Sequence, residues 1–148
     1  MGNKTLDSET DGPKENYKVI KYLAPELPQE FRNLVIAPFL NSLRYGNELF
    51  KLIDKDVYYH FYELFIERLL TKPMAFVRIA MLDDKTVLGW SLSDQKMLHY
   101  VWVKKEVRRQ GIGKALLPKE FSEISHITNK GLSIWISKYP SVKFNPFV

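Results

Sequence analysis

Cysteine is absent from this 148-residue chain. That excludes a disulfide scaffold, a thiolate nucleophile and a cysteine-ligated zinc site. It agrees with a reducing compartment. No apolar run approaches the roughly 20 residues that a membrane span needs. The opening residues 1–16 are polar, with Gly12 and Pro13, and read as a flexible tail rather than a signal peptide. Gly2 invites a myristoylation reading, but Leu6 stands where that motif needs Ser or Thr. Histidine is scarce: His60, His99 and His126 are scattered and make no metal set. There is no GxSxG elbow, no P-loop, no internal repeat and no low-complexity tract. These absences lead to the expectation of a cytoplasmic protein without a metal and without a membrane partner.

What is present suits one core. Hydrophobic residues make up 45 % of the chain and charged residues 26 %. Aromatics are plentiful, with nine Phe, eight Tyr and three Trp. Residues 17–148 are expected to form one domain. The net charge of +5 asks for an anionic partner, whether a phosphorylated cofactor, a nucleic acid or a membrane surface. Lys104, Lys105, Arg108, Arg109 and Lys114 concentrate part of that charge in one stretch.

The element order begins with a strand at 17–22. Pro25 and Pro28 punctuate a turn, and 29–54 reads as two or three short helices, broken near Pro38 and Gly46. A better helix spans 56–71, capped by Asp56, with Tyr58, Phe61, Phe65 and Leu69 as its apolar stripe. Ala75, Val77, Ile79 and Met81 alternate, so 74–82 is a strand. Turns at 83–85 and 94–96 separate it from strands at 86–93 and 97–104. A helix follows from about Gly111, and Pro118 bends or ends it. A short strand at 125–128, a helix at 129–138 and a strand at 142–148 close the chain.

The stretch 101–117 reads VWVKKEVRRQGIGKALL. An apolar strand leads into a basic glycine turn and then a helix. Glycine at 111 and 113 removes Cβ atoms where phosphates need to approach the backbone. A helix start adds unpaired N–H groups at the same point, which describes a pyrophosphate pocket.

The stretch resembles motif A of the GNAT superfamily of acetyl-CoA-dependent N-acyltransferases. Arg108, Gly111 and Gly113 fill the defining positions, and Val101, Val103, Ile112, Leu116 and Leu117 the apolar ones. The resemblance implies an α+β fold. Its sheet is mixed and mostly antiparallel, with helices on both faces and a splayed strand pair holding the pantetheine arm. It implies acetyl-CoA as co-substrate and an amine acceptor of unidentified class. It implies that Arg109, Gln110, Gly111, Ile112, Gly113 and Lys114 cradle the pyrophosphate, assisted by Arg108. Trp102 and Val103 would offer backbone groups to the pantetheine arm. Many relatives dimerise through terminal strands, which here means the edge at 142–148.

Acyl transfer to an amine needs a proton acceptor, support for an oxyanion and a proton for the leaving thiolate. Relatives often supply the last from a tyrosine within Asn-x-x-Ala…Tyr…Gly-Phe. Asn129 and Leu132 match the early positions. Ile136 holds the usual tyrosine position, and Tyr139 lies about one turn later. Candidate catalytic residues are therefore His99 and His126 on consecutive strands as bases, and Tyr139 as acid. Glu106, His60, Ser91 and Ser93 are lesser candidates. Two alternatives stay open. One is a GNAT-like enzyme modifying a nucleic-acid base or tRNA, suited by the charge and aromatics. The other is a degenerate domain that binds CoA or a protein partner without turnover.

Overall fold

A computed structural model describes residues 16–128, 131 and 137–146. Apart from Asn16, the expected tail lies outside these residues, as do most of the helix expected at 129–138 and the last two residues of the final strand.

Six strands lie side by side in chain order: β1 (Tyr17–Leu23), β2 (Ala75–Leu82), β3 (Val87–Asp94), β4 (Met97–Val103), β5 (Glu123–Ile124) and β6 (Lys143–Phe144). The first four pair antiparallel, whereas β4 with β5 and β5 with β6 are parallel. The molecule is thus α+β with a mixed sheet. The tight turns have chemical causes. Lys85 and Gln95 adopt left-handed φ of 69° and 52°, and Asp84 Oδ1 accepts the Thr86 N–H at 3.0 Å.

Two helices fill 29–54, but helix α1 (Gln29–Tyr45) runs unbroken through Pro38, where a break was expected. The carbonyl deprived of a partner by Pro38 belongs to Leu34, which is 45 % exposed, so water can satisfy it. Gly46 does end the helix, donating its N–H to Ser42 O. Asn47 caps the short α2 (Glu48–Lys51) by accepting the Leu49 and Phe50 N–H groups. Helix α3 (Lys55–Leu70) is capped by Asp54, not Asp56; Asp54 Oδ1 accepts from Asp56 and Val57. Asp56 sits in the first turn, where its charge favours the helix dipole. The buried stripe is Tyr58, Ile66, Leu69 and Leu70, while Phe61 is 62 % exposed. Aromatics on every side of this helix hid its true face.

One core packs α1 and α3 on the sheet around Phe39, Trp90 and Tyr100. A second, smaller core holds Ile112 and Leu116 of α4 (Ile112–Leu116) against Ala80, Leu88 and Val103. Neighbouring residues such as Ile79 and Ala80 serve different cores because strand side chains alternate between faces. Gly89 makes the second packing possible: a Cβ there would lie 2.7 Å from Trp102 O and 3.2 Å from Leu116 Cδ1. Helix α4 is short because Leu117, ahead of Pro118, is already extended. Among the described residues no helix is long and apolar enough to cross a membrane.

Two expectations near the C-terminus are corrected. The strand placed at 125–128 is instead β5 at Glu123–Ile124. Ser125 donates its N–H to Leu98 O, and no strand pairing continues beyond it. Among the described residues the final strand comprises Lys143–Phe144, at the sheet edge, with Phe144 55 % exposed.

Candidate active site

The site grows from the edge that β5 leaves open. Lys104 donates its N–H to Leu88 O at 2.8 Å, one step beyond the Val103–Gly89 pair. In an antiparallel ladder such bonds recur at every second residue. The backbone groups of Tyr100 and Trp102 therefore face β3, and those of Val101 and Val103 face the opposite edge. Trp102 lines the cleft, but its backbone groups are turned to β3, and its neighbour Val101, with Val103, presents the available amides. The β4–β5 ladder stops at Leu98–Ile124. The β3–β4 ladder passes over His99, between pairs Leu92–Tyr100 and Ser93–Leu98, which makes His99 a β-bulge. Strand β4 and residues 125–128 then part.

Two cavities occupy the parting. A cleft of about 460 Å³ is lined by residues that include Ser42, Tyr100, Val103, Arg109, Gly113 and Thr128. A smaller cavity of about 70 Å³ beside it is lined partly by Tyr100, Val101, His126 and Ile127. A groove of about 520 Å³ between α1 and α3 holds Arg32, Glu63 and Glu67 but shares no residue with either.

The glycine loop borders the larger cleft. A 3₁₀ turn at Lys105–Val107 follows β4, with Val107 buried. Arg109 and Gly111 then take left-handed φ of 66° and 83°. Alternating left-handed residues with Gln110 between them turn successive N–H groups toward one concavity, an anion-binding nest. Gly111 meets nothing within 4 Å at its Cβ position, so glycine answers there to backbone conformation. Gly113 differs. Its φ is not positive, and a Cβ would sit at an ordinary 3.6 Å from Val103 Cγ2. The fold does not need glycine at 113, although that residue lines the cleft. Ala115 donates to Gly111 O and Arg108 to Lys105 O. Between them, among the described residues, the amides of 109–114 have no acceptor. Arg108 is engaged twice, since its Nε also donates to Val103 O at 3.0 Å. Its side chain pins the loop to the strand end. Ile112 is 1 % exposed and anchors the loop in the smaller core. Lys114 is exposed, and Gln110 Oε1 is buried without a partner.

The histidines come together. His99 Nδ1 lies 2.9 Å from Ser125 Oγ, which lies 2.8 Å from His126 Nδ1. Ser125 has a single hydroxyl proton, so it donates to one ring and accepts from the other, and the two imidazoles hold opposite tautomers. Burial pushes His99 down to about 4, with Lys72 adding to the effect and Asp94 opposing it. Burial likewise pushes His126 down to about 4, with His99 contributing. Both rings are neutral near pH 7. His126 is ringed by Phe39, Tyr62 and Phe65 and touches the small cavity. His99 lines neither cavity, and its Nε2 is buried without a partner.

Tyr139 does not join them. Its ring lies 6.0 Å from Phe121, ahead of β5, and lines neither cavity. Glu106 and His60 are exposed. Ser91 donates to Leu116 O at 2.6 Å, and Ser93 accepts from Arg78. Sequence reasoning missed a pair instead: Ser42 Oγ and Tyr100 Oη are 2.8 Å apart, and both residues line the cleft. Nothing in the sequence joins positions 58 residues apart; only the packing of α1 on β4 does so.

The model of the acetyltransferase (GNAT) family matches residues 28–119. A candidate acetyl transferase of Pyrococcus furiosus is similar in structure, at 17 % identity over 89 % of this chain and 82 % of that one, with a TM-score of 0.54. An aminoglycoside acetyltransferase from an uncultured soil metagenomic sample, in complex with sisomicin, shares 18 % identity over 84 % and 88 %, with a TM-score of 0.47. A ribosomal-protein-alanine N-acetyltransferase from Brucella melitensis biovar Abortus 2308 shares 16 % over 86 % and 77 %, with a TM-score of 0.41. No curated protein matches the chain. At such identities these likenesses concern the fold alone. The family match covers most of the chain and includes the strand, glycine loop and helix that border the cleft, and the chain belongs to the GNAT family of acetyltransferases.

Proposed function

We propose that this chain transfers an acetyl group from acetyl-CoA to an amine by direct attack, with both substrates bound together. The observation that carries this reading is the run of unpaired amides at 109–114, set beside a cleft that follows the unpaired edge of β4. The residues fit the cofactor. The nest offers N–H groups to a pyrophosphate, Gly113 leaves its Cβ volume empty, and half-buried Lys104 with exposed cations at 105, 109 and 114 surrounds the loop. Acetyl-CoA supplies an activated thioester when bound.

Val101 and Val103 would pair with the amides of the pantetheine arm as an added strand does. Arg108 occupies the Val103 carbonyl, so Val103 contributes its N–H alone. The Val101 N–H stands where the strands part and would support the oxyanion; such a donor contributes roughly 3–4 kcal/mol elsewhere. An amine of pKa about 10 must shed its proton, and an imidazole held near 4 is a poor acceptor for it. In this reading the Ser125-bridged histidines hold β4 to the parting segment, and water takes the proton. The chain has no cysteine, which agrees with transfer without a thioester enzyme intermediate.

Thiol release from acetyl-CoA, read colorimetrically across small amines, aminoglycosides, peptides with free N-termini and tRNA, tests the proposal. The protein adds no background because it has no thiol of its own. At least one amine should raise release at least tenfold above hydrolysis, with the intersecting initial-rate pattern of a ternary complex. Parallel lines would exclude direct attack, and no acceleration by any amine would count against transfer.

A further inference from the structure

Tyr100 is the polar group best placed at the parting of the strands, and the acyl-transfer reading gives it no task. It borders both cavities and precedes Val101, whose N–H opens onto the same gap. Its ring is fixed: it stacks on Phe39 at 4.5 Å and 7°. Its hydroxyl meets Ser42 on α1 at 2.8 Å. Two hydroxyls sharing one hydrogen bond always keep one proton spare. If Ser42 donates, the Tyr100 O–H is free to turn into the cleft.

We propose that Tyr100, held by Ser42, gives the leaving CoA sulfur its proton; this rests on the acyl-transfer reading above. The amine nitrogen bonds the acetyl carbon while the carbon–sulfur bond breaks and sulfur takes the phenolic proton. Ser42 then donates to the phenolate, and the proton shed by the nitrogen returns to Tyr100 through water. Tyr100 is the catalytic acid and Ser42 its positioning residue. Burial raises the phenol above its usual range, against smaller opposing effects from Ser42 and Arg108. The acid therefore keeps its proton at neutral pH.

The test is the titration of bound CoA. A donor aimed at sulfur stabilises its thiolate. CoA carries the only thiol in the complex, so thiolate absorbance against the same protein loaded with desulfo-CoA reads it alone. Calorimetry first establishes that the intact chain, Tyr100→Phe and Ser42→Ala bind CoA. The expected result is about tenfold more thiolate at a given pH in the intact chain than in Tyr100→Phe, with Ser42→Ala between them. Tyr100→Phe should also lower kcat at least tenfold with KM unchanged. Equal thiolate fractions in all three would overturn the assignment. If Tyr100→Phe fails to fold, Ser42→Ala decides alone, and an unchanged thiolate fraction overturns it. Failure of the intact chain to bind CoA in calorimetry would instead remove the acyl-transfer reading itself.

Discussion

Gly113→Asp is expected to weaken acetyl-CoA binding at least 100-fold, about 3 kcal/mol, while the protein stays folded. The protein has room for the new side chain: the Cβ meets only Val103 Cγ2, at 3.6 Å. Position 113 lies in the first turn of α4, where an acidic residue suits the helix dipole. The ligand has no such room. The carboxylate would enter the cleft beside the amides that receive the pyrophosphate, and like charges there repel. Gly113→Ala sharpens the contrast, since it should add roughly 0.5–1 kcal/mol of stability and still cost affinity. Gly111 is the poorer choice, because its φ of 83° mixes backbone strain into any result. Calorimetry and thermal melting on the same samples check this. Gly113→Asp binding acetyl-CoA as tightly as the intact chain would contradict a phosphate cradle at this loop.

Acid should unfold the protein early, and His99 and His126 should be the reason. Their folded values lie near 4 against an ordinary 6.5. Between these limits the unfolded chain binds more protons than the folded one, so stability falls as pH falls. The contribution is complete above about pH 6.5 and lost through about 4. Each ring accounts for roughly 3 kcal/mol, large against a typical total of about 5–15 kcal/mol. Both are at most 5 % exposed, so solvent screens little of it. Urea midpoints measured from pH 8 to 4 should fall steeply below 6.5. The chain carrying His99→Gln and His126→Gln should show a much shallower slope. A flat profile in the intact chain would show that the rings titrate normally.

How far the sequence reveals this molecule depends on whether a feature is local. Strand alternation at Ala75, Val77 and Ile79, and the turns after it, follow from short-range chemistry and stand where expected. The glycine loop is equally local, since Gly111 takes the left-handed φ its residue type allows. Pro38 misled because its cost depends on whether the Leu34 carbonyl reaches water, a tertiary fact. The short β5 misled for a related reason: Ser125 has strand-like neighbours but serves as a bridge between two imidazoles. Val101 rather than Trp102 turns its backbone groups to the open edge because register, not residue type, decides which amides face it. Tyr100 and Ser42 were illegible because only the seating of α1 on β4 brings them together.

The most direct test of the central claim is an amide ¹H–¹⁵N titration of the intact chain with acetyl-CoA. The expected result is that the largest shifts fall on 109–114, with Val101 and Val103 moving and the β3-bonded amide of Trp102 nearly still. Shifts confined to the groove between α1 and α3, or none at the glycine loop, would contradict a cofactor held by these amides along the open edge of β4.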